Sequence, residues 1–474
     1  MNRLPVLSVP LAALLAGSAL VAVAGTASAD EPTCQGRAAT IVGPTNGRNT
    51  DGTDGDDVVV TTADGFGGTG YIRTGAGDDL LCIVAGDGRI PDPRVDSTFS
   101  VSTGAGDDSV VVEEERNTSY LRVALGAGAD TFLGSSRPEH VWAGDQEVYP
   151  ARLGADADVD RISTGDGADT IATGSPDPSV VNDDVVDSGP GGDTIHVGGT
   201  GTALTNGGAP GELGDGISLH RPGWAQSRVT IDNVARQASA DAGVFLRWTN
   251  VSGFSVVVDS PVTYVGSAAR DFLDVRTTVP VGLLDTVPVD VAMAGGDDMF
   301  SSNGEPVVGR VDGGTGTDEL YLPVCSRIDY RIGATVDCKA RTSSGDLVAH
   351  RALVPGWEGR TFVLARKWAS VTGTSGDDTI TVKAPRIRVS ARGGDDAVTV
   401  APDAHADAVL RGGAGRDVLT GGTRNDTLVG GPGRDRLVGL KRSDTLIGGP
   451  GRDVARGGTG GDRCSAEVTR SCER

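Results

Sequence analysis

Apolar residues in this chain come in short β-type bursts, such as Val58-Val59-Val60 and Val110-Val111-Val112, set between glycine- and aspartate-rich turns. From Gly412 the alternation becomes periodic. The chain divides into six nines, GGAGRDVLT, GGTRNDTLV, GGPGRDRLV, GLKRSDTLI, GGPGRDVAR and GGTGGDRCS, which begin at Gly412, Gly421, Gly430, Gly439, Gly448 and Gly457. The sixth position is always aspartate: Asp417, Asp426, Asp435, Asp444, Asp453 and Asp462. The eighth is Leu419, Leu428, Leu437, Leu446, Ala455 and Cys464, an inward slot. Nine residues make one turn and one short strand and leave no room for a helix. Successive nines therefore fall on opposite sides of a coil. Asp417, Asp435 and Asp453 form one ladder, and Asp426, Asp444 and Asp462 the other. The pattern predicts an all-β fold: an elongated parallel β-roll or β-solenoid, regular at its C-terminal end and irregular upstream.

Looser copies of the turn occur upstream, each followed by an apolar run. They end at Asp57, Asp79, Asp108, Asp130, Asp169, Asp193, Asp271, Asp297-Asp298, Asp318, Asp378 and Asp395-Asp396. Their separations are often near one or more coils: 22 residues from Asp57 to Asp79, 20 from Asp298 to Asp318 and 18 from Asp378 to Asp396. Two longer stretches, 200–270 and 320–372, resemble each other. Each carries a tryptophan (Trp248, Trp357) and then an apolar run, which reads as a wider coil, with a small inserted sandwich as the alternative. The expected organisation is 1–29 signal peptide, 30–199 irregular glycine–aspartate solenoid, 200–372 diverged solenoid with longer coils, and 373–474 β-roll with a C-terminal disulfide cap.

The turn has a specific chemistry. Glycine permits φ > 0 and brings carbonyls towards a common centre without a Cβ in the way. Aspartate adds a carboxylate. Ca²⁺ takes six to eight oxygens of both kinds. One loop cannot supply them, whereas two loops stacked about 4.8 Å apart can. Stacked carboxylates repel, and a divalent ion between them relieves the repulsion. At these residues the chain resembles the RTX, or haemolysin-type, calcium-binding repeat, GGxGxDxUx with U a large apolar residue. The resemblance implies Ca²⁺ as the cofactor and folding that depends on calcium outside the cell. The expected metal residues are the six aspartates with Gly412, Gly415, Gly430, Gly433, Gly448, Gly451, Gly457 and Gly460. Arg424 and Arg442 replace glycine at position four and Leu440 at position two, all on the Asp426 side, so that ladder is expected to bind more weakly.

Composition supports this picture. Glycine numbers 72 of 474 residues, aromatics make up 4%, and the formal charge is −22, which favours cations and disfavours nucleic acid as a partner. Arg3, the apolar stretch from Leu11 to Val23 and Ala27-Ser28-Ala29 predict a cleaved export signal, a mature start at Asp30 and no membrane span, hence a secreted, extracellular protein. The six cysteines are then expected as the disulfides Cys34–Cys82, Cys325–Cys338 and Cys464–Cys472. No catalytic residues are assigned. The five histidines, His140, His196, His220, His350 and His405, are scattered, and HExxH and GxSxG motifs are missing. Asp183-Asp184 with Asp187 is the densest acidic group and reads as a surface loop. The first reading is therefore a calcium-binding structural protein and not an enzyme. A polysaccharide-acting β-helix enzyme is one alternative. An adhesin with cell-wall or matrix polysaccharide or protein as its partner is the other.

Overall fold

The computed structural model describes residues 31–44, 49–62, 70–84, 98–113, 120–144, 157–174, 180–199, 203–208, 215–221, 228–241, 243–258, 260–276, 287–302, 307–315, 319–321, 325–331, 335–341, 347–353 and 360–472, and no side chain between 316 and 366. The expected signal segment, Trp357 and Asp318 lie outside the described residues. The described elements are all strands.

In the nonapeptide block the strands are three to six residues long and pair in parallel with the strand 18 residues on. Val418 lies opposite Arg436 and Arg436 opposite Val454 in one sheet, and Thr427 opposite Thr445 and Thr445 opposite Arg463 in the other. Each coil thus contributes one strand to each of two facing parallel sheets. Pleating sends alternate residues inward, and a three-residue strand has one inward slot. Leu419, Leu437 and Ala455 fill it on one sheet and Leu428 and Leu446 on the other, all fully buried. This single file continues into the upstream core through Val398, Ile380, Phe300, Leu273, Ile195 and Ile171. The core is thin, with few apolar contacts per coil to fix the turns.

The upstream coils are parallel too. Val59, Leu81, Val110, Phe132, Ile162 and Val186 stack in register on one sheet. The two longer stretches share a topology. In the first, Val229–Asp232, Gln237–Ala240 and Gly243–Thr249 form an antiparallel meander. Its last strand pairs in parallel with the preceding coil and its first with the following one. Cys325–Arg331, Thr335–Arg341 and Leu347–Leu353 repeat this arrangement. Each stretch is therefore a wide coil whose meander inserts into one sheet row. In the first, Trp248 donates to Asn233, which donates to Asp271, so the meander's polar atoms are paired inside the core.

Cys34–Cys82 and Cys464–Cys472 are bonded, as the sequence predicts. The first ties the N-terminal chain to the strand Leu80–Val84, and the second closes the last coil. The side chains of Cys325 and Cys338 lie outside the described residues, although their strands pair.

Candidate functional site: two carboxylate ladders

The six aspartates of the block form the two expected ladders, joined by side-chain-to-backbone hydrogen bonds. The backbone N–H of each rung donates to Oδ1 of the next: Asp417 to Asp435 at 2.9 Å, Asp435 to Asp453 at 2.9 Å, Asp426 to Asp444 at 2.8 Å and Asp444 to Asp462 at 2.9 Å. The first ladder extends backwards through Asp396 and Asp378. It ends on Glu467, whose Oε2 accepts from Asp453 N–H at 2.8 Å. The same bond links Asp57, Asp79, Asp108, Asp130, Asp160 and Asp184 on one side of the upstream roll. On the other side it links Glu139, Asp169, Asp193 and Asp215, and, beyond a break, Asp271 and Asp298.

Sequence reasoning missed several of these rungs. Glu139 and Glu467 occupy aspartate places with a longer side chain, and the stretches before Asp160, Asp184 and Asp215 lack the glycine pattern. Asp184, expected on a surface loop, is buried as the last rung of its ladder, where Thr173 donates to its Oδ2. The correction has a simple cause: strand stacking buries a carboxylate that nothing in the flanking sequence marks as internal.

The carboxylates sit in cradles that need glycine. A Cβ on Gly412, Gly430, Gly439, Gly448 or Gly457, at position one of each loop, would lie 2.1–2.4 Å from Oδ2 of the aspartate at position six. In some upstream coils threonine takes position one, and Thr74 and Thr164 there donate their hydroxyls to the carbonyl of the next coil, Thr103 at 2.8 Å and Ser188 at 3.0 Å. In the block and at Asp396 just before it, Oδ1 is used by the ladder bond, while Oδ2 of Asp396, Asp417, Asp435, Asp444, Asp453 and Asp462 is buried without a hydrogen-bond partner. Buried carboxylate oxygens are normally paired, since an unpaired one costs the full desolvation penalty.

The electrostatics show the same frustration. Burial pushes the Asp435 carboxyl up to about 6, with Asp417 and Asp453 adding to the shift. It pushes Asp444 up to about 7, helped by Asp426 and Asp462, and Asp396 to about 7, helped by Asp378 and Asp417. Burial is likewise the leading cause for Asp417 and Asp426, both raised, and for Asp108 and Asp169, each about 6. A column of buried, mutually repelling carboxylates is an arrangement that a cation stabilises.

Among the described residues no three His, Cys, Asp or Glu side chains converge as a metal-binding group. A cation in these ladders would take carboxylates from successive rungs and its remaining oxygens from the glycine-turn carbonyls, a donor set suited to a hard ion and not to zinc. Backbone and side chains together thus define a class: a parallel β-solenoid whose turns present a buried, oxygen-only, negatively charged column. Comparison with known families agrees. The model of the RTX calcium-binding nonapeptide repeat matches residues 155–175, 411–441 and 439–467, and the chain carries such repeats there. A search of curated proteins finds no match.

Proposed function

We propose that this chain is an exported structural protein whose β-roll binds Ca²⁺ between stacked turns and is stabilised by it. The observation that carries the reading is the column of buried Oδ2 atoms without partners at Asp396, Asp417, Asp435, Asp444, Asp453 and Asp462. The holding residues are those six aspartates with the backbone carbonyls of the glycine turns at Gly412, Gly415, Gly430, Gly433, Gly448, Gly451, Gly457 and Gly460. The ion supplies the positive charge that the column lacks. The chain supplies a fixed spacing, a glycine cradle that admits the second carboxylate oxygen, and exclusion of water from the rungs. Because the ion joins one coil to the next, its binding free energy adds to the stability of the stack. Two disulfides and the predicted export signal fit a protein built for an oxidising, calcium-rich exterior.

Calcium titration of the full chain by circular dichroism tests this. Calcium should increase β structure or raise the melting temperature, with affinity of roughly 10⁻⁴ to 10⁻³ M, the range of extracellular modules. Asp435→Ala should weaken the response more than Asp444→Ala. Asp435 lies between Asp417 and Asp453, both with an unpartnered Oδ2, whereas Asp444 has such a neighbour only in Asp462. A chain indifferent to calcium would refute the proposal.

A further inference from the structure

The loops of this roll, alike in sequence, fall into two conformations. In the first, positions two and four both have positive φ. Examples are Gly413 and Gly415 at 124° and 138°, Gly431 and Gly433 at 121° and 155°, and Gly449 and Gly451 at 115° and 155°. Their N–H groups point along the stack, as when Gly413 donates to the Gly430 carbonyl and Gly431 to that of Gly448. The carboxylate of the same loop keeps its free Oδ2.

In the second conformation neither position is left-handed, and the position-two N–H turns back onto its own loop's carboxylate. Thr53 donates to Asp57 at 2.7 Å, Ser135 to Glu139 at 2.9 Å, Ser267 to Asp271 at 2.5 Å, Thr374 to Asp378 at 2.7 Å and Gly422 to Asp426 at 2.6 Å. In four of these loops position two is serine or threonine, and its hydroxyl adds a second bond to the same carboxylate. These closed loops share a place in the fold, since each opens a run of rungs. Beneath Asp57 is Thr40, beneath Glu139 is Leu121, beneath Asp271 is Ser252 and beneath Asp426 is Ala408. Beneath Asp378 the paired strand starts at Arg360, and the residue before it in sequence is glycine. Among the described residues, no carboxylate lies below the loops of Asp57, Glu139, Asp271 and Asp426.

A second pattern agrees. In the interior of a run, a Cβ at position two would strike the position-two carbonyl oxygen of the loop beneath, at 1.9 Å for Gly431 and 2.4 Å for Gly449. Non-glycine residues nevertheless hold positive φ at position two in Ala294, Arg392 and Leu440, and at position four in Arg442. All four sit in the loop directly above a closed one, over Asp271, Asp378 or Asp426. Over the other two closed loops position two is glycine, and a Cβ there would lie 1.7 Å from the Thr53 carbonyl oxygen at Gly75 and 2.2 Å from that of Ser135 at Gly165, so non-glycine residues are confined to places above closed loops without being accepted above all of them.

We infer that the four closed loops whose carboxylate oxygens are all partnered, those of Asp57, Asp271, Asp378 and Asp426, are starter turns that fold without a cation, and that the open loops stacked on them take calcium; Glu139 keeps a buried Oε2 without a partner and is set apart. The inference rests on the calcium reading above and divides its sites. Asp426, which stands in a GG-initiated repeat like its neighbours, holds no ion, because its Oδ2 accepts the Gly422 N–H and its Oδ1 the Ala408 N–H. Each of these runs then begins with a preformed rung on which the first ion-bound coil can dock.

The test is calcium binding by the full chain, measured by isothermal titration and equilibrium dialysis, for wild type, Asp426→Asn and Asp435→Asn. Asparagine keeps the shape and an acceptor oxygen while removing the charge. Asp426→Asn should leave the number of bound ions unchanged and the affinity within about twofold, whereas Asp435→Asn should lose at least one ion per chain. Equal losses from both variants would overturn the inference and leave the calcium reading standing. Failure of the wild type to bind calcium would overturn both. Hydrogen exchange on the wild type is independent of any variant's folding. The amides of Thr53, Ser267, Thr374 and Gly422 should be protected in chelator and unchanged by calcium, and those of Gly413, Gly431 and Gly449 protected only with calcium. Joint gain of protection by both groups on adding calcium would refute the assignment.

Discussion

Gly422 and Gly431 are both the second glycine of a GG repeat, nine residues apart, yet alanine should act very differently at the two. At Gly431, φ is 121° and the new Cβ would lie 1.9 Å from the Gly413 carbonyl oxygen. A left-handed L-residue costs roughly 1–2 kcal/mol, and forcing a methyl into packed structure roughly 1–3 more. The obstacle here is backbone in a hydrogen-bonded stack and cannot rotate aside, so we expect a loss of about 2–5 kcal/mol. At Gly422, φ is not left-handed, and the nearest atom to the new Cβ is Val400 Cγ1 at 3.0 Å, part of a side chain that can shift. Removing glycine's freedom from the unfolded chain contributes about 0.4–1 kcal/mol in the opposite sense. The net effect at Gly422 should stay within about 1 kcal/mol of wild type. The assay is native-state hydrogen exchange of the full chain at saturating calcium, followed at the amides of Asp417 and Arg436, which bond Asp435 Oδ1 and the Asp417 carbonyl. Gly431→Ala should speed their exchange about 30-fold or more, since each 1.4 kcal/mol is tenfold. Similar effects from the two substitutions would show that the loops do not differ in backbone conformation, and the division into open and closed turns would fall.

Three further outcomes are expected. Without calcium, the roll should gain stability as pH falls from about 8 to about 5. Asp435, Asp444 and Asp396 have folded values of about 6, 7 and 7, raised above their unfolded ones, so the folded state binds more protons in that window. Calcium affinity should fall over the same window as protons compete for the carboxylates. Melting curves and calcium titrations across pH check both signs, and calcium-free stability that rises with pH would contradict the first. Glu467→Ala removes the acceptor of Asp453 N–H and should raise exchange at Asp453 and in the last strand, Val468–Arg470, while the upstream coils stay unchanged. Secreted material should begin at Asp30 and contain no alkylatable thiol in denaturant, as read by N-terminal sequencing and intact mass.

The period, the aspartate column and the division of rungs between two sides were legible in the sequence because one residue type recurs at one spacing. The inward file Leu419, Leu428, Leu437 and Leu446 was legible for the same reason. What escaped sequence reasoning depends on neighbours far along the chain. Glu467 serves as a rung because a longer carboxylate reaches the Asp453 amide from a loop without the glycine signature, and Glu139 because its N–H donates to Asp169 while Ser135 of its own loop holds its carboxylate. Asp184 is internal because strands from other coils cover it. The tandem wide coils were visible as resemblance, but their antiparallel meanders were not, since alternating apolar residues do not reveal the direction in which a strand pairs.

The hardest feature to read was the state of each loop, and the departures at Arg424, Leu440 and Arg442 show why. In sequence all three look like damage to one ladder. In the structure Leu440 and Arg442 take the left-handed backbone with φ of 84° and 75°, so their loop turns as its glycine-bearing neighbours do and its Asp444 keeps an unpartnered Oδ2. Arg424 does not take it, and its loop closes on Asp426. A non-glycine residue thus has opposite meanings at the same motif position, depending on what lies one coil below. Leu440 and Arg442 are carried above the closed turn of Asp426, whereas a Cβ at Gly431, above an open turn, or at Gly75, above the closed turn of Asp57, would lie within 2 Å of a carbonyl oxygen. We therefore expect position within the run, and not glycine content alone, to rank these sites. It follows that moving the tolerated leucine up one coil, as Gly458→Leu, should disrupt a loop that stacks on Leu440. There the Cβ would lie 2.1 Å from the Leu440 carbonyl oxygen. That variant should lose the calcium-dependent protection of the Asp462 rung, whereas Leu440→Gly should preserve that of Asp444. Preserved protection in Gly458→Leu would mean that an open turn accepts a side chain against the carbonyl beneath it, and the steric argument would fall.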